Sequence, residues 1–66
     1  MIRWKTAERR DVENEKIDSF LAEIISVCIK HGLSIGHEDC HGGFLVREFN
    51  HDAAKWLLEA SDDTVQ

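Results

Sequence analysis

Leu33-Ser34-Ile35-Gly36-His37 and Phe44-Leu45-Val46-Arg47-Glu48-Phe49 flank the segment Glu38-Asp39-Cys40-His41-Gly42-Gly43. The first flank alternates, the second is apolar over strand length, and Asp39 to Gly43 carries turn chemistry. Together they read as a β-hairpin. On the second strand Phe44, Val46 and Glu48 share one face, while Leu45, Arg47 and Phe49 share the other. Each face is therefore partly apolar. One helix layer cannot cover both, so the second face is expected to meet another helix or a second subunit.

Upstream, Ile17, Phe20, Leu21, Ile24, Ile25 and Cys28 follow helical spacing, and Val27 and Ile29 widen the stripe. The pattern predicts a helix from Asp11 to His31. Asp11, Glu13 and Glu15 crowd its start and Lys30-His31 its end, as the helix dipole favours. Gly32 is the expected left-handed residue after the last turn. Cys28 reads as a small buried hydrophobe. Downstream, Asn50 is a good N-cap for a second helix over His51–Ala60, which carries Ala53, Ala54, Trp56 and Leu57. Ile2, Trp4 and Thr6 alternate with Arg3 and Lys5, so residues 1–10 read as a basic arm or short strand. Trp4 is expected to pack on the body or on a neighbour. Residues 61–66 are expected to form a frayed acidic tail. The fold class is α+β: one domain over residues 11–60, with one hairpin and two helices in the order (β)-α-β-β-α.

Sixty-six residues allow one domain. A chain this short buries only about 60% of its unfolded surface, so a staple is needed. Two cysteines permit one disulfide at most, which makes oligomerisation the expected staple. No apolar run approaches the ~20 residues of a membrane span, and residues 1–16 lack a signal-peptide core. The expectation is a cytoplasmic protein with reduced thiols and no membrane contact. The net charge of −5 is uneven. Arg3, Lys5, Arg9 and Arg10 against Glu8 give residues 1–10 a charge of +3. The other four basic and twelve acidic residues give the rest −8. An acidic body disfavours binding to a nucleic-acid backbone and suits a small ligand held by local charge.

The turn concentrates the chemistry. His37, Cys40 and His41 are competent zinc ligands, but neighbouring Cys40 and His41 rarely reach one ion, and no second pair stands at finger spacing. No metal and no cofactor are assigned. Cys40 beside His41 resembles a nucleophile–base pair in composition only, because neighbours on an extended chain point to opposite faces. No catalytic residue is assigned. A binding site fits better. Gly42 and Gly43 allow close backbone approach, and their N–H groups can face an anion. Arg47 can fork a phosphate or carboxylate. Glu38 and Asp39 accept from amines, and Trp4, Phe44, Phe49 and Trp56 are available for stacking. The simplest reading of Asp39, Gly42 and Gly43 is as turn formers alone. The expected ligand-binding set is Ser34, His37, Glu38, Asp39, Gly42, Gly43 and Arg47.

The run from His31 to Val46 resembles small proteins of tailed phages and prophages. Their pattern reads roughly HGxSxxHEDxxGxFxV after an amphipathic helix, with an acidic second helix carrying a Trp-Leu pair, here Trp56-Leu57. Cys40, His41 and Gly43 depart from that pattern. The resemblance implies a non-enzymatic counter-defence protein, either an oligomeric sponge for a nucleotide signal or a contact inhibitor of a host enzyme. The expected function is therefore sequestration of a small anionic or nucleotide ligand within a homo-oligomer. Contact inhibition and metal binding are the alternatives.

Overall fold

The computed structural model describes residues 1–65. The order is β1 (Ile2–Lys5), β2 (Arg10–Glu13), α1 (Glu15–His31), β3 (Leu33–His37), β4 (Phe44–Glu48) and α2 (His51–Leu58). The α+β class is as expected, but there are two antiparallel hairpins where one was predicted. β1 pairs with β2 from Ile2↔Glu13 to Lys5↔Arg10. β3 pairs with β4 from Leu33↔Glu48 to His37↔Phe44.

Residues 10–13 therefore belong to a strand, not to the start of the helix. α1 begins after Asn14, whose side chain accepts from the N–H groups of Lys16 and Ile17. Asp11 and Glu13 lie before that cap, so the dipole-facing acids are Glu15 and Asp18. At the other end Gly32 adopts φ 70° and donates to the Cys28 and Ile29 carbonyls, the termination predicted for it. α2 is capped by Asn50, which accepts from Ala53 N–H at 2.8 Å, and it ends two residues earlier than predicted.

The first hairpin is inverted relative to its sequence pattern. Ile2 and Trp4 are exposed, whereas Arg3 and Lys5 are each 4% exposed. Burial of such cations requires partners. Arg3 donates to the Leu58 and Ala60 carbonyls at 3.0 and 2.7 Å, where α2 runs out, and pairs with Asp18 in the first turn of α1. Lys5 Nζ reaches Asp62 Oδ2 at 3.5 Å and the Thr64 carbonyl at 2.9 Å. Of the tail expected over 61–66, Gln66 lies outside the described residues, and Asp62 and Thr64 are stitched to β1 rather than frayed. Asp62 exchanges backbone hydrogen bonds with Trp4 and Thr6, and at 1% exposed it is a fully buried side chain. Of the two readings offered for residues 1–10, basic arm or short strand, Ile2–Lys5 takes the strand, and its Arg3 and Lys5 are neutralised internally.

Leu21 and Cys28 on α1 form the buried apolar core. Phe20, on the same predicted stripe, is exposed. α1 and α2 both pack on β3, while the backbone of β4 neighbours that of β3 alone. Both cysteines are free thiols, Cys28 buried and Cys40 exposed. Among the described residues no helix is long and apolar enough to cross a membrane.

Candidate functional site

The site begins with what β3 lacks. Gly36 faces Leu45 across the hairpin, and a Cβ there would lie 3.3 Å from Leu45 Cδ1 and 3.6 Å from Arg47 Nε. Without a side chain at Gly36, Arg47 lies close against the strand. Two residues earlier, Ser34 is buried and its Oγ accepts from Asn50 N–H at 2.9 Å. That bond fixes the start of α2 to β3. Asn50, Ala53 and Trp56, three residues apart, then fall on one side of the helix. They wall a cavity of about 220 Å³ together with Gly36, His37 and Arg47.

Two aromatic rings and one cation meet there. The His37 and Trp56 rings lie 6.0 Å apart at 43°. His37 Nδ1 is 2.6 Å from Asp39 Oδ1, which fixes the ring's orientation. The Arg47 side chain makes no hydrogen bond or ion pair among the described residues. Asp52 supplies the cavity's carboxylate and lies in the first turn of α2.

The turn itself is closed on its own groups. Glu38 Oε1 accepts from the N–H groups of Cys40 and His41 at 2.8 and 3.1 Å. Its Oε2 contacts His41 Nδ1 at 3.0 Å, and Glu38 N–H donates to the Gly43 carbonyl. The turn N–H groups that hold a carboxylate are those of Cys40 and His41, not the Gly42 and Gly43 groups expected to face an anion, and the carboxylate is the chain's own. Gly42, at φ 73°, makes the reversal.

Of the seven residues expected in the site, His37 and Arg47 come together in the cavity. Ser34 positions α2, and Glu38, Asp39, Gly42 and Gly43 build and orient the turn. Gly36, Asn50 and Asp52 were not foreseen as site residues, and Trp56 was foreseen only as an available ring. Their signal was weak, because it needed the Asn50-x-x-Ala53-x-x-Trp56 spacing to be set against the strand face of Gly36. Among the described residues no three His, Cys, Asp or Glu side chains gather to hold a metal. His41 engages Glu38 rather than Cys40.

A larger groove of about 930 Å³ opens between α1 and the C-terminal segment. Ile17, Phe20, Leu21, Ala60 and Val65 make its walls chiefly apolar, and none of the residues singled out in the turn lines it. Size alone does not make it the better candidate, since recognition needs convergent polar groups. Compared with protein-family models, curated proteins and solved structures, the chain matches none.

Proposed function

We propose that this chain is a small non-catalytic binding protein that captures an anionic, nucleotide-like ligand at the cavity of His37, Arg47 and Trp56. The observation that carries this reading is the Arg47 guanidinium, which is unpaired among the described residues and stands beside two aromatic rings. A planar guanidinium forks a phosphate or carboxylate bidentately. Trp56 offers a face for a nucleobase, a contact worth roughly 1–3 kcal/mol per base. Asp52 can accept from a ligand amine or hydroxyl. At about 220 Å³ the cavity is smaller than the roughly 300–1,000 Å³ of pockets that enclose drug-sized ligands, so it suits one phosphate and part of a ring. The resemblance to phage proteins supplies the setting: a sponge that removes a host signal.

Calorimetric titration with adenosine monophosphate tests this reading. The wild-type chain is expected to bind. Arg47→Met is expected to weaken binding at least tenfold, in line with the ~1.5–3 kcal/mol of a charged hydrogen bond. Its melting temperature should not move, since no intramolecular bond is lost. No heat of binding at millimolar nucleotide, or equal binding by the variant, would overturn it.

A further inference from the structure

β4 is an open edge. Its residues bond to β3 alone, and no other element covers its far side. The hydrogen-bond phase of the hairpin follows from its two ends. Phe49 N–H donates to the Gly32 carbonyl and Glu38 N–H to the Gly43 carbonyl. Antiparallel pairs alternate between bonded and non-bonded. Leu45 and Arg47 therefore turn their backbone groups to β3, and Phe44, Val46 and Glu48 turn theirs outward. The Glu48 carbonyl takes one long bond from Asn50 Nδ2 at 3.4 Å and keeps a second lone pair. The strand carries no lysine and no proline, and its register has no bulge; Arg47 and Glu48 are its charged residues.

Its outer face is apolar as well as open. Phe44 is 70% and Val46 59% exposed, and both lie on the face they share with Leu33 and Ile35. Val46, Leu33 and Ile35 also line a shallow apolar cavity with Val27 of α1. The accessible surface of the chain is 5201 Å², against roughly 4,300 Å² for a compact monomer of its mass. The excess, about 900 Å², is close to the ~800 Å² that each partner contributes to a standard interface.

We propose that two copies pair antiparallel along β4 about a two-fold axis through Val46, forming a four-stranded sheet that carries both Arg47 cavities on one face. This register uses every outward backbone group. Val46 faces Val46 of the second copy as a bonded pair, and Phe44 and Glu48 exchange bonds on either side. On the other face Leu45 lies opposite Arg47 of the second copy. The two Arg47 positions are then diagonal neighbours about 7–8 Å apart. Two like charges so placed are relieved by a ligand with two anionic groups bound across the axis. The choice of ligand rests on the reading of Arg47 given above; the pairing itself rests on the strand edge.

The test uses the full chain. Light scattering on a sizing column should give twice the mass of one chain for the wild type and for Arg47→Met, and one chain for Val46→Pro. Because a proline variant can fail to fold, Val46→Cys in a Cys40→Ser background provides an independent readout. Paired Val46 positions have Cα atoms about 5.5 Å apart, within disulfide range, so mild oxidation should join two chains. Glu59→Cys in the same background should not join. Inorganic pyrophosphate should bind once per two chains and more tightly than inorganic phosphate. A monomeric wild type, or a dimer that Val46→Cys does not cross-link, overturns the pairing. Pyrophosphate held no more tightly than phosphate overturns the shared site. A cross-linked dimer that binds neither anion nor adenosine monophosphate leaves the pairing standing and removes the binding function.

Discussion

Asp62 lies four residues from the C-terminus in a run of polar side chains, yet it is among the least accessible residues of the fold. Its carboxylate accepts from the Thr64 hydroxyl and N–H and from Asn14 Nδ2, with Lys5 beside it. The Thr64 bonds, reinforced by Asn14 and Lys5, hold its pKa well below the usual carboxylate range. Asp18 is lowered too, by its hydrogen bonds from Arg3 and the terminal ammonium. A carboxylate whose folded pKa lies below its unfolded value stabilises the fold at neutral pH. That contribution is lost as pH falls through the carboxylate range. The terminal ammonium has the opposite sign. Asp18 raises its pKa, so its contribution fades only as pH climbs above the ordinary value of 8.0. We predict a melting temperature that is flat from about pH 7 to 5 and falls below about pH 4. In Asp62→Asn the neutral plateau should drop and the acid slope should shrink. Thermal denaturation followed by circular dichroism across that range checks both. An acid slope unchanged in Asp62→Asn would mean that Asp62 does not carry it.

Among the elements, the second hairpin and both helices were legible in the sequence, and the first hairpin was only half legible. Leu33–His37 and Phe44–Glu48 sit on either side of a turn with two glycines, and Gly32 and Asn50 announce a helix end and a helix start. The loop between β1 and β2 gives no such sign. It runs through Thr6, Ala7, Glu8 and Arg9, and Arg9 itself takes the left-handed conformation, φ 53°. An arginine there is uncommon, so no local rule marks the reversal. With the turn hidden, Asp11 and Glu13 passed for the acidic first turn of α1. Asn14 is the residue that separates strand from helix. It caps α1 through Oδ1 and holds Asp62 through Nδ2. Asn14→Ala should cost about 1 kcal/mol for the cap, with a further loss from the released Asp62. Urea denaturation at neutral pH measures it. A destabilisation below the range of ordinary cap removals would contradict the dual role.

At the scale of the whole molecule, the fold buries charge and exposes apolar surface to an unusual degree. Arg3, Lys5 and Asp62 are inside, while Ile2, Phe44 and Val46 are outside. Alternation fixes which residues share a face, but not which face turns inward. Here the inward side was decided by partners far away in sequence, 55 residues for Arg3 with Leu58 and 57 for Lys5 with Asp62. The candidate site shows the same limit. His37 and Arg47 could be picked out because they flank a conspicuous turn. Trp56 and Gly36 acquire their roles only when α2 docks on β3 through Ser34 and Asn50. At the turn Glu38 takes the N–H groups of Cys40 and His41, and the reach of that side chain forward onto its own loop is not visible in a motif. If Arg47 and Trp56 form one ligand site, the fluorescence of Trp56 reports its occupancy. In the Trp4→Phe protein, Trp56 is the only indole left. Titrating that protein with adenosine monophosphate should quench its emission with saturation, and the added Arg47→Met substitution should shift the midpoint at least tenfold upward. Emission that stays constant to millimolar nucleotide, or a midpoint indifferent to Arg47, would contradict the account.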